Sequence, residues 1–142
     1  MNRRGLLIGA MCFVAAPVGA GEEAALDWVN RFRRRRARRA LRWSPVLASV
    51  AQAHADDMAR AGYFSHTGSD GSDVGARVSR AGYRWCAVAE NIAQGQRSLE
   101  VALEGWKDSR GHRRNMLSRR MSEIGVARGA GNTWVMVLAS GC

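Results

Sequence analysis

Apolar residues spaced three and four positions apart predict a helix at the start of the globular part of the chain. Between residues 22 and 39 these positions are Ala25, Trp28 or Val29, and Phe32, and several arginines follow them. This spacing places one apolar stripe along a helix, so we expect that side of the helix to pack against a core.

A second helix is predicted after the segment Trp43-Ser44-Pro45. Ser44 is a favourable N-cap residue, Pro45 suits the first helical position, and Gly62 is expected to end the helix. The apolar stripe of this helix consists of Leu47, Val50, Ala51, His54, Ala55 and Met58. Because His54 belongs to the stripe, we interpret it as a hydrogen-bonded histidine at the edge of the core.

The middle of the chain alternates between polar turns and short elements. The stretch YFSHTGSDGSDV is rich in Gly, Ser, Asp and Thr and therefore predicts a loop. Ser72 is the expected cap of a short third helix that runs to about Ala81 and stops at Gly82. Residues 85–93 predict a strand, and Ser98 is expected to cap a fourth helix.

The C-terminal stretch MSEIGVARGAGNTWVMVLASGC predicts two strands joined by a turn at residues 129–132. The apolar residues of the two strands are Ile124, Val126, Trp134, Val135, Val137 and Leu138. Helices come first and the hairpin comes last, with no repeat or linker between them. The sequence therefore predicts one α+β domain in which helices cover a sheet.

The first 20 residues have the pattern of a secretory signal peptide. A short basic start, MNRRG, precedes the apolar stretch LLIGAMCFVAAPV, and small residues lie before a cleavage point after Ala20. The apolar stretch is short and contains Pro17, which argues against a membrane span. The pair Arg3-Arg4 also resembles a twin-arginine signal, and the residues before Cys12 do not fit a lipoprotein site. We expect residues 21–142 to form a single secreted or periplasmic domain.

Two cysteines, Cys86 and Cys142, would remain after this cleavage. An exported domain with two cysteines favours one disulfide, and two free buried thiols are the alternative. The bridge would close a loop of about 56 residues, for which loop-entropy models give roughly 4 kcal/mol.

The mature chain is strongly basic. Of 22 Lys and Arg residues, Arg3 and Arg4 would leave with the signal peptide, which leaves 20 against 12 acidic residues and a net charge of +8. One run supplies much of the excess: Arg33, Arg34, Arg35, Arg36, Arg38 and Arg39. Such a run could bind lipopolysaccharide, anionic lipid or another anionic envelope component through phosphate groups. The alternative is a solvated helix end. The run lacks interleaved aromatic residues, so we expect no specific nucleic-acid partner.

Three polar segments contain residues suited to chemistry: His66 in FSHT, Glu90 in AENI and His112 in GHR. Two imidazoles and a carboxylate could ligate zinc or another divalent metal. They could equally form an acid–base set in which Glu90 orients a histidine. No zinc-protease, serine-hydrolase or paired-cysteine motif accompanies them, so both interpretations stay open.

Several segments in a fixed order resemble the CAP superfamily of cysteine-rich secretory proteins, antigen 5 and pathogenesis-related 1. They are AQAHADDMARAGYFSHTGSDG, AENIAQG, GWKDSRGHRRNMLS, EIGVA and an aromatic closing strand, and they resemble the bacterial SCP-like branch. The resemblance runs from about residue 24 to 139. It implies a secreted, three-layer α-β-α sandwich with a central, mainly antiparallel sheet and a cavity ringed by two histidines and two acidic residues.

The resemblance implies that His66 and Glu90 are the first histidine and the first acidic residue of this cavity. Ser109 stands where the second acidic residue is expected, with Asp108 beside it, and the strand GNTWVMV has no histidine at the second position. His112, in SRGHRRN, could supply the missing imidazole or could instead tie its segment to the sheet. Glu123, in SEIGVA, is expected to tether a helix to a strand.

Three functions follow as hypotheses. The first is a monomeric, non-enzymatic domain that binds a lipid-like or envelope ligand. The second is a metal-dependent hydrolase or peptidase that uses His66, Glu90 and His112. The third is an anion-binding surface protein that uses the arginine run. Ser65 and His66 are adjacent and should point apart, so they make a poor nucleophile–base pair.

Overall fold

Helices and strands extend through the part of the chain that the computed structural model describes, residues 19–142. The helices are α1 (Ala20–Arg34), α2 (Pro45–Ala61), α3 (Val74–Arg80), α4 (Leu99–Asp108) and α5 (Arg110–Met116). The strands are β1 (Arg42–Trp43), β2 (Trp85–Gln94), β3 (Glu123–Gly129) and β4 (Thr133–Gly141), and a 3₁₀ turn (Ala130–Asn132) joins the last two. Residues 1–18, which hold most of the predicted signal peptide, lie outside the described range. No helix of residues 19–142 is long and apolar enough to cross a membrane.

The four strands form one sheet in the order β1-β3-β4-β2. Strands β3 and β4 form the predicted antiparallel hairpin, and β2 pairs antiparallel with the other side of β4. The two-residue strand β1 runs parallel to β3. Strand β4 is thus central, and its residues 133–139 are all buried.

The two faces of β4 contribute to two different cores. Trp134, Met136 and Leu138 pack with residues of α1, α4 and α5 on one side of the sheet. Val135 and Val137 pack with residues of α2 and α3 on the other side. Side chains alternate along a strand, so a continuous apolar run can serve both cores. The structure confirms the predicted three-layer α-β-α sandwich.

Two glycines of β3 allow α2 to approach the sheet closely. A β-carbon added to Gly125 would overlap the backbone of Leu47 and Ala48, and one added to Gly129 would lie 2.8 Å from the carbonyl oxygen of Ala55. Helix α2 therefore packs on β3 backbone to backbone, which fixes the height of the helix above the sheet.

The helix ends agree with the predictions in most places. Ser44 accepts the Leu47 amide, and Gly62 ends α2 in the left-handed region with φ of 69°. The predicted cap of α3 was wrong by one residue. Asp73 caps α3, and Ser72 instead donates its hydroxyl to Asp70.

Two short elements were not predicted, and one helix was predicted too long. Strand β1 has only two residues, and α5 has only one buried residue, Met116, so neither carries a repeating apolar pattern. Helix α1 ends at Arg34 instead of residue 39, because the chain turns at residues 35–37.

Cys86 and Cys142 form a disulfide with a Cα–Cα distance of 5.0 Å. The amide of Cys142 also donates to the carbonyl oxygen of Arg84, so the last residue is held beside the start of β2. The prediction of a bridge is confirmed, and the alternative of two free thiols is wrong.

Arg33 does not belong to the surface that the arginine run was predicted to form. Its side chain is buried and donates to the carbonyl oxygens of Arg39, Met116 and Ser118. A guanidinium group can satisfy several carbonyl groups at once, which lets it close the end of α1 against the segment after α5.

Candidate functional site

The loop that carries His66 is organised by one carboxylate. Asp57, near the end of α2, accepts the hydroxyl of Tyr63 and both the amide and the hydroxyl of Ser69. These hydrogen bonds, that of Tyr63 first, lower the pKa of Asp57 to about 2. Because the bonds reach both ends of residues 63–69, they hold His66 in a defined place beside the sheet.

His66 and Arg77 both bind the buried carboxylate of Glu90. Glu90 lies in β2, opposite Val137 of the central strand. His66 Nδ1 lies 2.7 Å from Oε1 of Glu90, and Arg77 Nη2 lies 2.8 Å from Oε2. The Glu90 side chain is 1% exposed and that of Arg77 11%, whereas the His66 ring is 58% exposed. Glu90 thus connects an accessible imidazole to a largely buried guanidinium.

A third basic side chain, that of His54, also lies near the carboxylate of Glu90. Its Nε2 lies 2.9 Å from the carbonyl oxygen of Ser65 and 3.9 Å from Oε1 of Glu90. Burial lowers the pKa of His54, although the nearby Glu90 charge acts in the opposite direction. A neutral ring donates from Nε2 to Ser65, which leaves Nδ1 as an acceptor. This atom is buried and has no hydrogen-bond partner among residues 19–142.

The prediction of His54 as a hydrogen-bonded core histidine is correct for its burial and its contact, but it missed the position beside Glu90. Arg77 was missed altogether. The only local signal for His54 was a polar ring in an apolar stripe, which needs a buried partner. Arg77 carried no signal that distinguishes it from the other arginines.

His112 lies on α5, not on a loop, and is half-buried. Its carbonyl oxygen accepts from Asn91, the neighbour of Glu90 in β2, and Asn115 donates to Asn91 in turn. Burial lowers the pKa of His112, and the charge of His66 lowers it further. The two imidazoles therefore lie on the same side of the molecule, and the backbone of His112 also ties α5 to the sheet. Both predicted roles, lining the site and tethering the segment, are compatible with this position.

In this arrangement both oxygens of Glu90 are engaged by His66 and Arg77, so the set of His66, Glu90 and His112 as metal ligands stays a prediction. One oxygen of Glu90 is bound to the Arg77 guanidinium, which places a positive charge where a cation would be ligated. Among residues 19–142, no three His, Cys, Asp or Glu side chains are grouped as metal ligands. The carboxylate instead serves an internal ion pair with Arg77 and a hydrogen bond with His66.

A pocket of about 540 Å³ opens beside this network, between α2, α3 and the turn at residues 68–72. His54 and Arg77 contribute to its wall, so the network borders the pocket. Val50, Ala53 and Ala81 supply apolar wall. The charged side chains that line it are Asp56, Asp57, Asp70, Arg60, Arg77 and Arg80.

A model of the cysteine-rich secretory protein family, CAP, matches residues 26–138. The chain belongs to this family. The predicted family membership is confirmed over most of the described residues.

Bacterial relatives share this CAP domain as part of longer proteins. The chain is 29% identical over 109 residues to the Bacillus subtilis protein YkwD, and the aligned region covers 77% of this chain and 42% of YkwD. It is 31% identical over 105 residues to the B. subtilis membrane protein YlbC, and the aligned region covers 74% of this chain and 30% of YlbC. The chain therefore spans less than half the length of the curated relatives it matches.

A solved structure supports the same assignment. An extracellular SCP-domain protein from Bacillus anthracis superimposes with a TM-score of 0.80 at 27% identity, over 88% of this chain and 45% of that one. An outer surface protein from Borrelia burgdorferi, with a TM-score of 0.77 and 18% identity over 84% and 92% of the two chains, shares the fold.

Among residues 19–142, the remaining positions singled out by the resemblance form no side-chain hydrogen bond or ion pair with His66, Glu90 or Arg77. Asp108 is 75% exposed and its nearest charged partner is Lys107, so it does not replace the missing acidic residue. Ser109 is the N-cap residue of α5, with no side-chain cap bond. Glu123, at the start of β3, accepts the hydroxyl of Tyr83. Glu123 is thus a tether as predicted, but to the segment after α3 and through a side-chain hydroxyl.

Proposed function

We propose that this CAP domain is an exported, non-enzymatic binding module whose ligand is a small lipid-like molecule of the cell envelope. The observation that carries the proposal is the pocket of about 540 Å³ beside the His–Glu network. This volume lies in the range of about 300 to 1,000 Å³ that is typical of small-molecule sites. The extracellular SCP-domain protein of B. anthracis supports the export of this domain.

The lining of the pocket favours an amphipathic ligand without net charge. Val50, Ala53 and Ala81 offer apolar contact for a short hydrocarbon part. The three aspartates and three arginines of the lining carry −3 and +3, which sum to zero. Arg60 pairs with Asp57 and Arg80 pairs with Asp70, and both arginines are largely exposed at the rim. Arg77 pairs with Glu90, which leaves Asp56 without a basic partner among residues 19–142, so a zwitterionic head group could place its positive charge beside Asp56.

The polar groups near His66 support the non-enzymatic part of the proposal. A hydrolase needs an activated nucleophile or a metal-bound water. The Ser65 hydroxyl accepts the Thr67 amide, and both oxygens of Glu90 accept from His66 and Arg77. These groups are already used by the fold, which is the expected condition of a structural network.

Binding of cis-parinaric acid, a fatty acid that fluoresces in apolar surroundings, tests the proposal. Ala53→Trp should fill the pocket from the exposed side of α2 and abolish the fluorescence increase. Val101→Trp is the matched control, because Val101 is an exposed apolar residue of α4 that does not line the pocket. Loss with Ala53→Trp alone would support the proposal. Equal binding by both variants, or no binding by the wild type, would contradict it.

Zinc titration tests the hydrolase alternative. The wild type, His66→Ala and His112→Ala are compared with the disulfide intact. We expect no stoichiometric zinc, because Arg77 occupies Glu90. One zinc per chain that is lost in both variants would favour the metal-dependent hydrolase over the binding module.

A further inference from the structure

We propose that two arginine-rich segments far apart in the sequence form one cationic surface that binds the anionic lipid head groups of a membrane. The first segment is residues 34–39, after the buried Arg33, and the second is residues 110–120, which include α5. We call the exposed arginines of both segments the cationic surface. The proposal goes beyond ligand binding in the pocket, which lies between α2 and α3.

Buried and half-buried arginines hold the two segments side by side. Arg33 donates 2.8 Å to the carbonyl oxygen of Met116 and 3.0 Å to that of Ser118, across more than 80 positions of sequence. Arg38 donates 2.9 Å to the carbonyl oxygen of Leu117. Two arginines of the run are therefore used to attach the second segment, and this attachment brings the other arginines of both segments together.

The arginines that remain exposed are not neutralised by the fold. In the first segment they are Arg34, Arg35, Arg36 and Arg39. In the second segment they are Arg110, Arg114, Arg119 and Arg120. None of these eight forms an ion pair with an acidic side chain among residues 19–142. Their eight charges equal the entire net charge of +8 of residues 21–142, which is 20 basic minus 12 acidic residues.

Two acidic side chains at the end of α4 share a single lysine, which leaves one negative charge there. Glu104 and Asp108, at the end of α4, both lie within ion-pair distance of Lys107. The hydrogen bond that Lys107 donates to Glu104 raises the pKa of Lys107, and the nearby charge of Arg35 acts against it. Arg35 is therefore close to the end of α4, where the first segment meets the helix that leads into α5.

The chemistry of the surface favours lipid phosphates over nucleic acid. Guanidinium groups bind phosphate oxygens in pairs, and a cluster of basic side chains is attracted to anionic membranes. The two segments contain no Phe, Tyr or Trp on which bases could stack. The large apolar residues that are exposed, Val46, Phe64, Trp85 and Val101, lie in other segments, so binding would be electrostatic and would not involve insertion.

Vesicle co-sedimentation tests the proposal with protein recovered after export from the cell. Vesicles of phosphatidylglycerol and phosphatidylcholine are compared with vesicles of phosphatidylcholine alone, at about 0.1 M and about 0.5 M salt. Arg34→Gln/Arg35→Gln/Arg36→Gln removes part of the first segment. A second triple variant, Arg110→Gln/Arg114→Gln/Arg119→Gln, removes an equal charge from the second. Arg84→Gln/Arg97→Gln/Arg128→Gln removes three exposed charges elsewhere, and thermal unfolding checks that all variants fold.

The wild type should bind only the anionic vesicles, and the higher salt should abolish binding. Each basic residue near such a surface contributes roughly fivefold to partitioning, so each of the first two triple variants should bind about a hundredfold more weakly. Undiminished binding after the changes at 110, 114 and 119 would overturn the composite surface. An equal loss of vesicle binding by the control variant would show that only the net charge of the protein matters. That result would also overturn the proposed surface. Tighter binding to a DNA duplex than to vesicles under the same conditions would make nucleic acid the partner instead of lipid.

Discussion

Removing the charge of Glu90 should destabilise the domain far more than a typical surface change. Glu90→Gln keeps the shape of the side chain but places an amide where two donors, His66 Nδ1 at 2.7 Å and Arg77 Nη2 at 2.8 Å, now find carboxylate oxygens. The guanidinium of Arg77 would stay in place, because Arg77 also donates to the carbonyl oxygen of Ser72. The variant thus leaves a largely buried positive charge without its counter-charge.

The burial of the two partners sets the size of the effect. Breaking a buried ion pair by removing one partner costs about 3 to 5 kcal/mol. The Glu90 side chain is 1% exposed and that of Arg77 is 11% exposed, so some solvent reaches the remaining charge and the lower end applies. The His66 ring is 58% exposed and can turn to water, so it adds little. We expect Glu90→Gln to lower the free energy of unfolding by about 3 kcal/mol.

Urea unfolding at neutral pH, followed by tryptophan fluorescence with the disulfide intact, measures this effect. Glu100→Gln, an exposed residue of α4, is the control and should change stability by less than about 0.5 kcal/mol. Arg77→Met combined with Glu90→Gln removes both charges and should cost at least about 1 kcal/mol less than the sum of the single changes. A loss below about 1 kcal/mol for Glu90→Gln, with strictly additive single changes, would refute the buried ion pair.

Two further predictions concern the loop and the contact between helix and sheet. The pKa of Asp57 in the folded state, about 2, lies below its ordinary value of 3.8, so its stabilising effect is present above about pH 4 and is lost as the pH falls towards 2. Asp57→Asn should therefore cost about 1 to 2 kcal/mol at about pH 6 and much less near pH 2, measured by urea unfolding, and an equal loss at both pH values would disprove this. Gly125→Ala should cost about 2 kcal/mol or more, because the new methyl group overlaps the backbone of α2. Thermal unfolding measures Gly125→Ala beside Gly105→Ala in α4, which has open space around it and should stabilise by about 0.5 to 1 kcal/mol. No change in stability for Gly125→Ala would contradict the close approach of helix and sheet.

Local signals in the sequence were sufficient to predict most of the elements. Helix α2 could be bounded because a serine cap, a proline at the first position and a left-handed glycine act within one turn of the chain. The disulfide could be predicted because only two cysteines remain after the expected cleavage. Short elements without an apolar repeat were missed: β1 depends on its pairing with β3, and α5 buries only Met116.

The membership of the site was predictable only where a residue belongs to a motif. His66 and Glu90 stand in segments that resemble the CAP family, and the structure brings them within 2.7 Å. His54 and Arg77 join them from α2 and α3, and nothing in their own neighbourhoods indicates this contact. The metal set of two histidines and a glutamate stays a prediction, and the sequence did not indicate that Arg77 pairs with Glu90.

The sequence by itself determined the class of fold, the helix boundaries with strong caps, the family and the excess of positive charge. Only the tertiary structure decided which arginines are buried, which are exposed, and which segments they join. Arg33 and its exposed neighbour Arg34 have the same local context, but Arg33 reaches carbonyl groups 83 and 85 positions away. Composition and periodicity report on neighbours along the chain, whereas a buried hydrogen bond depends on which distant backbone the fold brings within reach.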